Sequence, residues 1–83
     1  MRIVVRLFAR LRDIAGAAEL ERELGGTPTA GALWAALTQE FPDMAPYSGS
    51  ISMAVNAEYA RPDDPLRDGD EVAFLPPVSG GMG

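Results

Sequence analysis

The side chains able to carry chemistry in this chain are few. Among its 83 residues there is no Cys, no His and no Lys, and all seven basic residues are Arg. Thiolate nucleophiles, imidazole bases, the usual zinc ligands and side-chain amines are therefore excluded together. The remaining acid or base candidates are carboxylates, grouped as Asp63-Asp64 and Asp68-Gly69-Asp70-Glu71. Set among Pro and Gly, these read as turn residues, because short acidic side chains bond their own backbone. The spacing from Asp64 to Glu71 does not match a calcium loop, so no metal site is expected. Gly25-Gly26 precedes a helical pattern but lacks the further glycines and the Lys-Ser/Thr pair of a phosphate cradle, and reads as a turn.

The terminal run Pro76-Pro77-Val78-Ser79-Gly80-Gly81-Met82-Gly83 is different in kind. Two prolines stiffen an extended exit. Glycine has no Cβ, so a Gly-Gly thread passes through a channel too narrow for other residues. Such a thread can deliver a terminal carboxylate into another protein's active site.

The preceding residues must aim that thread. Arg2 to Ala9 alternates as a strand, with Ile3, Val5 and Leu7 on one face and Val4, Arg6 and Phe8 on the other. Arg10 to Ala15 is a short helix closed by Gly16, and Ala17 to Leu24 is a half-buried strand whose Glu19, Glu21 and Glu23 face water. Thr29 caps a helix in which Leu33, Leu37 and Phe41 recur every four residues, widened by Ala30 and Trp34 and ended at Pro42. A turn of helix around Met44 and Tyr47 fits the loop that follows. Ser50 to Val55 alternates with Ile51, Met53 and Val55 inward and Ala54 outward. A brief strand lies around Tyr59 to Arg61, and Asp68-Gly69-Asp70 launches the last strand, Glu71 to Leu75. This order predicts an α+β roll of the β-grasp, ubiquitin-like type: a mixed sheet of about five strands on one main helix, residues 1–75, followed by a flexible tail, residues 76–83. Phe8 and Leu75 share the parity of the water-facing side, which marks a protein contact.

Composition sets limits. Hydrophobic residues make up 47% and charged residues 23%, the balance of a globular chain rather than a disordered one. Twelve acids against seven bases give a net charge of −5 without a basic stripe, so nucleic acid and anionic membrane are not expected partners. No apolar run approaches a membrane span, and a cytoplasmic protein is expected.

The run from Asp68 to Gly81 closely resembles the ending of the molybdopterin synthase small subunits (molybdopterin-converting factor subunit 1), a family of ubiquitin-like sulfur carriers. The opening, Leu7-Phe8-Ala9-Arg10-Leu11-Arg12-Asp13-Ile14-Ala15-Gly16, is similar as well, so the likeness spans nearly the whole chain. The resemblance implies that Gly81 carries an adenylate and then a thiocarboxylate, that Gly80 gives clearance, and that Pro76 and Pro77 form the tail's root. It further implies that Phe8, Tyr59, Leu75 and Arg12 meet the partner. The implied partners are an ATP-dependent adenylating enzyme, a sulfur donor and the large subunit of molybdopterin synthase, which would hold the catalytic residues within a heterotetramer. ATP is used by the adenylating partner, and no cofactor is bound permanently. The family pattern stops at the second glycine, whereas Met82-Gly83 follows here, so removal of these two residues by a processing peptidase is expected. A carrier for cysteine, thiamine or tRNA thiolation and a ubiquitin-like protein modifier are the alternatives. Without Lys, a modifier of this kind could not build side-chain-linked chains on itself.

Overall fold

The computed structural model describes residues 1–77. Five strands, β1 (Arg2–Leu7), β2 (Glu19–Glu23), β3 (Ser52–Val55), β4 (Glu58–Ala60) and β5 (Glu71–Leu75), form one sheet in the order β2-β1-β5-β3-β4. β1 and β5 are parallel at the centre, and every other pairing is antiparallel. Helix α1 (Ala9–Ala15) interrupts the β1–β2 hairpin. Helix α2 (Ala30–Glu40) supplies the main helical face of the core, and a 3-10 helix, Pro42–Tyr47, follows it. This is the β-grasp roll that the order of elements predicts.

The core lies between one sheet face and α2. Ile3, Val5 and Leu7 of β1 and Val72 and Phe74 of β5 are buried against Leu33, Trp34 and Leu37 of α2, with Leu11 of α1 and Met44 of the 3-10 helix closing the sides. Trp34 packs beneath the sheet, its ring 5.1 Å from that of Phe74, and its Nε1–H donates to Ser48 Oγ at 2.9 Å. An indole buried at one end and hydrogen-bonded at the other leaves no polar atom stranded.

The start of α2 is fastened to a distant loop. Thr29 Oγ1 accepts from the Ala32 N–H at 3.1 Å, as expected of an N-cap. The Ala30 and Gly31 N–H groups donate to the carbonyls of Asp64 and Pro62 at 3.0 and 2.8 Å. First-turn donors have no partner within their own helix, so these carbonyls satisfy them. Gly31 is required by the close approach: a Cβ there would lie 2.9 Å from the Pro62 carbonyl oxygen. The same loop buries Leu66, a core residue that its Pro- and Asp-rich surroundings conceal in the sequence.

Local readings are adjusted at the strand ends, where β4 runs Glu58–Ala60 rather than Tyr59 to Arg61, and at Ala54. β1 stops at Leu7 rather than Ala9, because Ala9 takes a left-handed φ of 52° and turns the chain into α1; Phe8 stays extended and keeps the outward parity. β2 and β3 are also shorter at both or one of their ends than the alternation suggests. Ala54 does sit outside the core cluster, yet it is only 9% exposed, because larger outer-face side chains wall it in.

Two measurements check this packing. Phe74→Ala removes a ring from the centre of the core and should cost ~3–5 kcal/mol, a large part of the ~4–12 kcal/mol available to a domain of this size. A fall in the urea midpoint followed by Trp34 fluorescence would show it. Asn56 and Ala57 both have positive φ, 51° and 72°, in the β3–β4 turn. A left-handed Ala costs ~1–2 kcal/mol, partly offset in a Gly variant by greater unfolded-chain entropy. Ala57→Gly should therefore raise Tm by roughly 4–8 °C for a net gain of about 1 kcal/mol; an unchanged or lower Tm in calorimetry would show that this turn is unstrained.

Candidate functional site

The outer face of the sheet changes character from one edge to the other. At one level Glu19, Arg6, Ala73, Ala54 and Tyr59 are successive register neighbours on β2, β1, β5, β3 and β4. The first half of the row is charged and satisfied internally. Arg6 Nη1 donates to Glu71 Oε2 at 2.7 Å, and Glu19 lies 3.9 Å from Arg6 Nε. Arg2 Nε is 3.6 Å from Glu21 and 3.5 Å from Glu23. The hydrogen bond from Arg6 to Glu71, and then the charge of Glu71, hold the Arg6 guanidinium above its ordinary pKa. For a raised base the linked stability is present below the ordinary guanidinium range and lost only as pH rises through the raised value, so Arg6 stays charged wherever the fold is handled. Exposed pairs of this kind contribute little to stability. Their effect is to leave both arginines of this half of the sheet paired, with carboxylates in excess.

The second half is apolar and hollow. Ala73 and Ala54 form a low floor, and Phe8, Ala57, Tyr59 and Leu75 stand around it, enclosing a shallow depression of about 290 Å³. Phe8 is 40% exposed and Tyr59 85% exposed, the large hydrophobic residues that stand in water among the described residues. A cluster of this kind, set beside a charged half-sheet, has the character of a protein-binding patch. The small floor residues matter as much as the aromatics, since a larger side chain at 54 or 73 would fill the hollow.

A second depression, of about 420 Å³, is lined by Phe8, Ala9, Arg10, Tyr47, Leu75, Pro76 and Pro77. It shares Phe8 and Leu75 with the first, so the chain leaves β5 along the edge of the apolar patch. Phe8, Tyr59 and Leu75 are thus brought together, with Pro76 and Pro77 beside two of them. Arg12 is exposed on α1 but lines neither depression. Residues two apart on a helix do not share a face, and here Arg10 is the one that borders the exit. In the sequence the two arginines flank Leu11 symmetrically, and no signal there separates them. Gly80, Gly81, Met82 and Gly83 lie outside the described residues.

Asp64 and Asp70 behave as turn residues, and Asp68 ties its loop to the start of β1. Asp64 Oδ2 accepts from the Arg61 N–H at 2.9 Å, Asp70 Oδ2 from the Arg67 N–H at 2.8 Å, and Asp68 Oδ1 from the Arg2 N–H at 2.6 Å. Asn56 closes the group, donating from Nδ2 to Asp70 Oδ1 and accepting from the Glu71 N–H, both at 3.0 Å. Among the described residues no cluster of three or more His, Cys, Asp or Glu side chains is placed to hold a metal ion, and no helix is long and apolar enough to cross a membrane.

Comparison with known proteins agrees with this geometry. The molybdopterin synthase sulfur carrier subunit of Chlamydomonas reinhardtii is 41% identical over 83 residues, covering 98% of this chain and 100% of that one. The subunit of the same name from Escherichia coli K12 is 40% identical, covering 95% of this chain and 99% of that one. Among solved structures, SAMP1 from Haloferax volcanii superposes with a TM-score of 0.85 at 30% identity, covering 98% of this chain and 100% of that one. Subunits 1 and 2 of the molybdopterin-converting factor from Helicobacter pylori have been solved as a complex; the matching chain has a TM-score of 0.69 at 27% identity, covering 98% of this chain and 100% of that one. The profile of the ThiS family matches residues 5–81. With that match over most of its length and relatives aligned nearly end to end on one β-grasp fold, the chain belongs to the ThiS family of ubiquitin-like sulfur carriers.

Proposed function

We propose that this chain carries sulfur for molybdopterin synthesis as a thiocarboxylate on Gly81, acting as the small subunit of molybdopterin synthase. The observation that carries the reading is the placement of the β5 exit, Pro76-Pro77, along the apolar patch of Phe8, Tyr59 and Leu75. A partner gripping the patch would receive the following residues at a fixed point on its own surface. The full-length relatives named as sulfur carrier subunits and the two-subunit complex from Helicobacter pylori support the same assignment.

The chemistry follows from what a carboxylate lacks. It is a poor acceptor for a sulfur nucleophile, because its oxide is a poor leaving group. In a cognate adenylating enzyme the Gly81 carboxylate attacks the α-phosphorus of ATP and releases pyrophosphate, leaving an acyl adenylate. A sulfide-equivalent donor then adds to the carbonyl carbon and expels AMP, leaving the thiocarboxylate. The loaded tail enters the large subunit, where the sulfur passes to cyclic pyranopterin monophosphate. This chain contributes position and a slender, Cβ-free end, while the groups that handle the substrate belong to the larger partner.

Gly81 becomes terminal only if Met82-Gly83 is removed. Two things support that step: the family match ends at residue 81, and the Met82 side chain would obstruct a narrow channel that glycine passes. A second reading, a ubiquitin-like modifier, draws on the likeness to SAMP1; it predicts conjugates on other proteins that disappear when Gly81 is deleted.

Incubation with the cognate adenylating enzyme, ATP and a sulfide source, followed by intact-mass measurement, tests the main reading. A chain ending at Gly81 should show exchange of one oxygen for sulfur, and one ending at Ser79 should show none while keeping its circular dichroism spectrum. Active thiocarboxylate on Gly83 would overturn the trimming step, and no adenylation of any form would overturn the carrier chemistry. Filling the hollow with Ala73→Arg should weaken binding to the large subunit by at least about tenfold, equivalent to ~1.4 kcal/mol, with little change in the melting curve; calorimetric titration would report it.

A further inference from the structure

The groove at the root of the exit differs from the first depression in one respect. Its walls are mostly apolar, from Phe8, Leu75, Pro76 and Pro77, but it has a single charged residue, Arg10. Among the other arginines, Arg2 and Arg6 pair with glutamates of the sheet and Arg22 with Glu40, while Arg12, Arg61 and Arg67 are, like Arg10, outside ion-pair distance of a carboxylate among the described residues; of these four, Arg10 is the one that lines the groove at the exit. Arg10 has no carboxylate within ion-pair distance among the described residues. Asp13, one helical turn further along α1, has the spacing to pair with it, yet the two do not meet. A cation left unmatched beside apolar walls, in a chain of net charge −5, is complementary to an anion that arrives from outside.

The position of the groove limits where that anion comes from. From Pro77 to Gly81 is four residues, which reach at most about 14 Å when extended. Under the carrier reading, on which this inference rests, the reacting carbon of Gly81 must therefore work within about that distance of the groove. Under that reading, the surface facing the groove in the loaded complex lies beside the channel that takes the tail.

We propose that this groove receives an acidic side chain with an adjacent apolar residue from the rim of the large synthase subunit, the carboxylate pairing with Arg10 and the apolar neighbour lying on Phe8 and the two prolines. An Arg–carboxylate pair in such a setting is short and directional. It fixes the rotation of the carrier about its tail, which the apolar patch alone, being non-directional, does not.

Calorimetric titration of the carrier into the cognate large subunit at low and at moderate salt tests this. R10E should weaken binding roughly 10- to 100-fold at low salt, R10Q should weaken it less, and both should flatten the salt dependence seen with the native chain. F8A should weaken binding while leaving that salt dependence in place. Melting curves of R10E and R10Q should match the native one, since Arg10 makes no internal ion pair among the described residues. Binding by R10E within twofold of native, or an unchanged salt slope, overturns the proposal. So does tighter binding by R10E, which would mean that the chain's own carboxylate end had occupied the groove. A native dimer that R10E dissociates would give the groove to a second copy, and a loss confined to the adenylating enzyme would give it to that protein; either overturns the assignment made here. If the native chain does not bind the large subunit at all, the carrier reading itself fails, an outcome distinct from a failure of Arg10 alone.

Discussion

The parallel ladder between β1 and β5 joins the first strand to the last and places the site. Val5 lies opposite Val72 and Leu7 opposite Phe74, and all four side chains are buried in the same core. Because the strands run the same way, the residues that leave them, Phe8 and Leu75 onward, emerge at the same end of the sheet. An antiparallel pairing would have sent them to opposite ends. Parallel neighbours need a long crossover, and here that crossover contains every other element of the fold. The helices and the outer strands can thus be understood as the covering that lets this central pairing stay dry.

On the outer face the same alternation has two outcomes. Toward β2 the outward positions carry Arg2, Arg6, Glu19, Glu21 and Glu23, which form ion pairs in water with one acid in excess. Toward β4 they carry alanine at the floor and aromatic or aliphatic side chains at the rim. The charged half discourages edge-on association of the sheet, since charged groups lose solvation on leaving water. The apolar half keeps an unsatisfied hydrophobic surface in a defined place. Left-handed residues flank it on both sides, Ala9 at the entry to α1 and Ala57 in the β3–β4 turn. Both hold tight turns that keep Phe8 and Tyr59 at the rim.

The division of labour between the chain and its proposed partners has a chemical basis. A protein with no thiol, imidazole or side-chain amine presents to an activated carboxyl group only hydroxyls, which are weak nucleophiles without a neighbouring base, and it has no imidazole to serve as one. Such a chain is suited to carrying a reactive acyl end. Of the carboxylates that remain, Glu19, Glu21, Glu23, Glu40 and Glu71 pair with arginines, while Asp64 and Asp70 accept backbone N–H groups within their turns and Asp68 accepts from the Arg2 N–H. The work of these aspartates is to set the path of the loop from Arg61 to Asp70, which in turn satisfies the first turn of α2.

Much of this was legible in the residues. Alternation and fourfold spacing gave the elements and the inward residues of β1, β5 and α2, because burial on one face imposes a period that composition cannot hide. Leu66 was not legible, since one leucine in a polar loop has no period; nor was the near-complete burial of Ala54, which depends on neighbours from other strands. Phe8 and Leu75 could be recognised as outward by parity alone, but that they share a hollow with Tyr59 follows only from the strand order. Which of Arg10 and Arg12 borders the exit is likewise tertiary, since it depends on which side of α1 the exit strand passes. Sequence by itself determined the local periods, the turn chemistry and the inventory of reactive groups, all of which depend on near neighbours along the chain. Tertiary structure alone decided which outward side chains meet, because that depends on the register between strands separated by more than sixty residues.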